Sequence, residues 1–213
     1  MTYFVTTRLD VRRFTTADVT AFTAYRADPE VARYQSWDGF THRDGEALVE
    51  SMDHLDLGAP GEWFQLALED RARRVLVGDL ACKVNASEPR EMEIGFTLAQ
   101  AEQGRGYATE ALTALLDHVV GAMRLHRVIA ITDARNTAAA ALLARVGMRQ
   151  EAPFVENVFF KGAWGSELLF AKLAREHQPA ARPPTAIHHR AGVTPCSPSP
   201  LSPPSPPSCR PPG

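Results

Sequence analysis

Hydrophobic and polar positions alternate over residues 8–14, which predicts a strand, and Thr15 with Asp18 then forms a capping-box pair opening a helix to about residue 27. Short helices follow to about residue 55. Residues 63–68, 74–84 and 92–99 read as three successive strands joined by polar turns, the pattern of an antiparallel meander. Leu112, Leu115, Leu116, Val119, Val120 and Met123 recur at helical spacing, so one apolar stripe of this helix faces the core. Residues 128–132 are a short apolar strand, residues 137–145 an alanine-rich helix stopped by Gly147, and residues 166–174 a closing strand. Strand, helix and strand across residues 92–132 predict a parallel pair with a right-handed crossover. The expected fold class is α/β, with a mixed, twisted sheet and helices on both faces.

Composition divides the chain. Twelve of its sixteen prolines fall in residues 179–213, interleaved with serine, so residues 177–213 are expected to be a disordered Pro/Ser-rich tail behind a folded domain of residues 1–176. A formal net charge of −2 lacks the basic excess of a nucleic-acid binder, and no nucleic-acid partner is expected. No apolar run reaches membrane-spanning length and no leader pattern opens the chain; the expectation is a cytoplasmic protein with no membrane partner. The spacing of the three cysteines matches neither a disulfide framework nor a zinc site. Cys82 is expected to be a small core residue, Cys196 and Cys209 belong to the tail, and no metal is expected.

The chemistry concentrates in Gln103-Gly104-Arg105-Gly106-Tyr107-Ala108-Thr109-Glu110, a glycine-rich turn between a strand and a helix. A helix N-terminus presents unpaired N–H groups and the positive end of its dipole, and glycines remove the Cβ atoms that would hold an anion away. Arg105 adds a guanidinium suited to phosphate oxygens. A Walker A loop requires Gly-Lys-Ser/Thr, which is absent. A dinucleotide fingerprint requires a third glycine where Thr109 stands.

Residues 104–111 resemble the pyrophosphate-binding turn of the GNAT acetyltransferases, in particular their RimJ/RimL-like branch. Four further segments resemble that branch in the same order: Thr7-Arg8-Leu9-Asp10-Val11-Arg12, Asp28-Pro29-Glu30-Val31-Ala32-Arg33-Tyr34, His126-Arg127-Val128 with Asn136 and Val146-Gly147-Met148, and Lys161-Gly162-Ala163-Trp164. The resemblance spans roughly residues 5–176 and implies a mostly antiparallel sheet with one splayed parallel pair, in whose gap acetyl-CoA lies. It also implies that the backbone of Phe96, Thr97 and Leu98 pairs with the pantetheine arm and that Asn136 contacts it, although Asn136 is equally placed to be an N-cap.

Direct acetyl transfer to an amine then needs a base, an oxyanion donor and a route for the leaving thiolate. Glu93 occupies the strand position where some acetyltransferases of this superfamily carry a glutamate base, and its alternative is a solvated or substrate-binding carboxylate. Glu110 sits in the first helical turn, where the dipole accounts for it. An N–H near Thr97 or Leu98 is the oxyanion candidate. The tyrosine and serine that serve as acids in relatives are replaced by Leu143 and Ala139. Tyr34 and Trp37 are candidates for acceptor contact, and Asp38, Asp44, Glu46, Asp53 and Asp56 bias this region toward a cationic acceptor. The resulting expectation is a monomeric or homodimeric N-acetyltransferase acting on a peptide N-terminus or a small-molecule amine. The alternative is a non-catalytic acyl-CoA-binding sensor module.

Overall fold

The computed structural model describes residues 1–178. The expected tail from residue 179 on, including Cys196 and Cys209, lies outside the described residues. The elements run β1 (Thr2–Val5), β2 (Leu9–Arg13), α1 (Val19–Arg26), α2 (Pro29–Ala32), α3 (His42–Ser51), β3 (Phe64–Asp70), β4 (Val75–Val84), β5 (Glu91–Leu98), α4 (Tyr107–Gly121), β6 (Arg127–Asp133), α5 (Thr137–Arg145), β7 (Arg149–Phe160) and β8 (Ala163–Leu173). They build one eight-stranded sheet in the order β1-β2-β3-β4-β5-β6-β8-β7. All neighbours are antiparallel except β5 and β6, the pair joined through α4.

The meander β3-β4-β5 and helices α1, α4 and α5 lie where the hydrophobic pattern places them. Leu112, Leu115, Leu116 and Val119 of the α4 stripe are buried in one cluster with Leu66, Leu68, Leu80, Met92 and Ile94 of the meander. Each such side chain contributes about 1.5–3 kcal/mol on burial, which fixes α4 on the sheet and its first turn beyond the end of β5.

Two strands escape the pattern. β1 is short and half-exposed. β7 is an edge strand with little burial along its length, Pro153 inside it and two register shifts against β8. An edge strand tolerates proline because one side of it makes no ladder bonds, but the same features erase the period-two signal. Residues 157–164 form the tip of the β7-β8 hairpin.

Beneath the centre of the sheet, Asp79 of β4 accepts from the Tyr25 hydroxyl (2.6 Å) and pairs with Arg26 (2.8 Å), both from α1. Asp79 is 1% and Arg26 4% exposed. Burial, followed by the Asp79 charge, pushes the Tyr25 hydroxyl well above its ordinary pKa. One residue before Asp79, the backbones of β4 and β5 meet so closely that a Cβ on Gly78 would lie 2.2 Å from the Thr97 carbonyl oxygen. Glycine is required there by contact.

Candidate active site

The parallel ladder between β5 and β6 holds for only three residue pairs, Glu91 with Arg127, Met92 with Val128 and Glu93 with Ile129. Both strands continue past that point without pairing to each other, β5 to Leu98 along β4 and β6 to Asp133 along β8. The Ala99 N–H donates to the Val77 carbonyl (3.0 Å), which turns Thr97 and Ala99 toward β4; strand alternation then presents the backbone groups of Phe96 and Leu98 to the gap. Of the three residues expected to pair with an extended ligand arm, Phe96 and Leu98 therefore offer that edge. Thr97 is buried, with its carbonyl directed at Gly78.

A cavity of about 780 Å³ lies at this gap. Glu93, Gly95 and Phe96 line it from β5, Asn136, Ala139 and Leu143 from the α5 segment, Tyr34 and Trp63 from connecting segments, and Trp164 from the start of β8. Lys161, at the hairpin tip, donates to the Ala32 carbonyl at the end of α2 (2.7 Å), so the hairpin and the N-terminal helices meet beside the cavity. Leu143 and Ala139 are buried apolar lining.

The glycine turn leads from β5 into α4. Gly106 is the N-cap, at φ 83°, a left-handed conformation that favours glycine. The first helical bond runs from the Glu110 N–H to the Gly106 carbonyl (3.1 Å), which leaves the N–H groups of Tyr107, Ala108 and Thr109 ahead of it as an anion-binding end. The Gln103 N–H donates to the Gln100 carbonyl (3.2 Å) and its side-chain amide to the Leu98 carbonyl (3.3 Å), so Gln103 braces the turn. The Tyr107 side chain is buried, with its hydroxyl on Asp70 (2.5 Å), and only its backbone addresses the turn. Arg105 is half-exposed and paired with Glu102 (2.7 Å).

Arg8 is the residue that sequence reasoning missed here. Its Nη1 donates to the Arg105 carbonyl (2.9 Å), its guanidinium lies 4.4 Å over the Tyr107 ring, and its Nη2 lies 3.3 Å from where a Gly106 Cβ would stand. It was visible only as part of the first strand motif, because its partners are about a hundred residues away in sequence.

Glu93 stands at the last ladder pair, where the strands begin to diverge, and lines the cavity. Its carboxylate pairs with Lys83 on β4 (3.1 Å). Asn136 caps α5 by accepting from the Ala139 N–H (3.1 Å) and also lines the cavity. Tyr34 lines the cavity, whereas Trp37 does not. The Trp37 ring is stacked under the Arg26 guanidinium (4.0 Å) and its N–H is spent on the Arg26 carbonyl (3.1 Å). Nor do Asp38, Asp44, Glu46, Asp53 or Asp56 line the cavity. Asp44 caps α3 through Thr41, and Asp56 faces Arg13 (3.5 Å). The carboxylates expected to bias this region therefore contribute nothing to the cavity lining.

Among the described residues no group of three or more His, Cys, Asp or Glu side chains is placed to hold a metal ion, and no helix is long and apolar enough to cross a membrane.

A sheet split at its single parallel pair, with an open strand edge leading to a helix N-terminus, has the geometry to accept an extended, anionic ligand. Residues 8–149 match the family described as acetyltransferase (GNAT) domain, and the chain belongs to that family. An uncharacterised N-acetyltransferase of Bacillus subtilis (strain 168), YnaD, is 30% identical over 174 residues, covering 82% of this chain and 98% of the relative. The crystal structure of a GNAT-family acetyltransferase from Bacillus anthracis superposes with a TM-score of 0.72 at 27% identity, covering 80% of this chain and 98% of that one. RimL, a ribosomal L7/L12 α-N-protein acetyltransferase solved in complex with coenzyme A, shares the fold with a TM-score of 0.71 at 17% identity, covering 81% of this chain and 98% of that one.

Proposed function

We propose that the protein transfers an acetyl group from acetyl-CoA directly to a primary amine in the cytoplasm, with residues 1–176 as the catalytic domain. The observation that carries this reading is the ladder that stops at Glu93, because it sets a carboxylate, an open strand edge and a cavity at one point. The turn N–H groups of Tyr107, Ala108 and Thr109 receive the pyrophosphate, and the backbone of Phe96 and Leu98 aligns the arm in the gap.

Glu93 takes a proton from the acceptor ammonium, directly or through one water, and the neutral amine attacks the thioester carbonyl. The Leu98 N–H, on the gap edge, is placed to meet the developing oxyanion. The CoA thiolate then leaves without a protein acid, which Leu143 and Ala139 do not supply; an ordinary thiol pKa of about 8.5 makes it a workable leaving group. Tyr34, Trp63 and Trp164 give the acceptor region an aromatic lining suited to an ammonium or to the apolar body behind it. A peptide N-terminus and a small-molecule amine both satisfy this lining.

Free-thiol release from acetyl-CoA, measured against N-terminal peptides, aminoglycosides and polyamines, tests the reading. Rapid release with one acceptor class establishes the enzyme and its substrate. The apolar Leu143 and Ala139 favour a second reading, a binding module for acyl-CoA, for which tight binding would come without release on any acceptor.

A further inference from the structure

We propose that Lys83 is itself an acetylation site, modified within the same molecule by the centre described above; the inference rests on Glu93 acting as the base of that centre. Lys83 lies directly opposite Glu93 in the β4-β5 ladder, its Nζ 3.1 Å from the Glu93 carboxylate. The same Nζ lies 4.5 Å from the centre of the Trp63 ring. Its two partners both line the large cavity. A second cavity of about 310 Å³, bordered by Lys83, Glu91, Glu93 and Ile129, adjoins the point where β5 and β6 separate. The Lys83 ammonium therefore lies within hydrogen-bond distance of the base that an acceptor amine must meet, and its side chain is 30% exposed.

The chain contains two other lysines, and neither is placed in this way. Lys161 donates to the Ala32 carbonyl, and Lys172 donates to the Val146 carbonyl from a buried position. β4 and β5 are adjacent strands about 4.8 Å apart, so a lysine side chain on β4 spans to the edge of the gap by a change of rotamer.

The step balances. Lys83 gives one proton to Glu93, its neutral nitrogen attacks the acetyl carbonyl, the N–C bond forms as the C–S bond breaks, and CoA leaves with the electron pair. The second nitrogen proton passes to the thiolate or to solvent. The product amide carries no charge, so modification dissolves both the Glu93 ion pair and the contact with the Trp63 face. The reaction accelerates as pH rises, because the neutral amine is the nucleophile.

The test is incubation of the full-length protein with acetyl-CoA alone, followed by peptide mapping by mass spectrometry over time and over protein concentration. The expected result is one acetyl group on Lys83, with the fraction modified per unit time independent of protein concentration. It is absent from Lys83→Arg and slowed about a hundredfold or more in Glu93→Gln, as loss of a general base implies. Circular dichroism and acetyl-CoA binding confirm that each variant is folded. An unmodified Lys83, equal modification in Glu93→Gln or in urea-unfolded chain, or an apparent first-order rate constant that rises in proportion to protein concentration overturns the proposal. Acceptor turnover measured in parallel separates the two readings. Turnover on free amines with Lys83 unmodified sinks only self-acetylation, while acetyl-CoA binding with neither reaction sinks both.

Discussion

Arg8 and Glu110, 102 residues apart, are joined twice: the Arg8 backbone N–H donates to Oε1 at 2.8 Å and its Nε to Oε2 at 2.6 Å. The Thr6 hydroxyl adds a third bond to Oε1 (2.5 Å). Glu110 is thereby held as a structural carboxylate, and Arg8 carries the constraint on to the Arg105 carbonyl of the glycine turn. Arg8→Ala is expected to raise the KM for acetyl-CoA about tenfold with kcat little changed, since each hydrogen bond to a charged group is worth about 1.5–3 kcal/mol and solvent screens part of it. Arg8→Lys should recover part of the loss. Steady-state kinetics with acetyl-CoA varied at saturating acceptor would show this split, and a fall in kcat alone would contradict it.

Glu93→Gln keeps the shape of the site and removes the base. Turnover is expected to drop by about 10²–10⁴-fold, while calorimetric affinity for acetyl-CoA stays as in the wild type. Unchanged turnover would move the base elsewhere.

The carboxylates around the turn make stability depend on acid. The Tyr107 hydroxyl, followed by the Arg73 N–H and guanidinium, holds Asp70 well below its ordinary pKa. Burial opposes the charge on Glu110, but Thr6 and Arg8 together bring its pKa below the ordinary value. For both groups the unfolded chain binds the proton more readily. Their contribution is therefore complete above the ordinary carboxylate range of about 3.9–4.3 and is lost as pH falls through the lower folded values. Melting temperature should be flat from pH 7 to about 5 in this respect and decline below it. Glu110→Gln should flatten that decline.

Asp79→Ala leaves the Arg26 guanidinium buried without its carboxylate. A cost of about 3–5 kcal/mol is expected in urea unfolding, the usual penalty for breaking a buried ion pair from one side. A double variant that also replaces Arg26 with methionine should cost less than the two single changes added together.

Burial pushes the Cys82 thiol up to about 12. At pH 8 a thiol reagent should leave Cys82 unmodified in the native protein and label it only after unfolding, which peptide mapping can read directly. Rapid native labelling would mean that β4 opens locally.

Much of the architecture is legible along the chain because it rests on local periodicity. The α4 stripe, the meander and the stop at Gly147 are each encoded within a dozen residues, and burial in the structure follows them. The same holds for the glycine turn, whose left-handed residues and free N–H groups follow from residue type and from the geometry of a helix start. Strand β7 was not legible, since an exposed edge with a proline and two bulges has no alternation to read.

The sequence by itself determined most of the helices and strands, where a glycine turn opens a helix and that Glu93 precedes it on a strand, because propensity and capping act over a few residues. Only the tertiary structure decided where the parallel ladder stops and that Lys83 and Trp63 meet Glu93. It likewise decided that Trp37 belongs to Arg26 rather than to the cavity, and that Arg8 closes on Glu110. These are contacts between distant segments, fixed by strand register and by how the core packs, and no local pattern carries either.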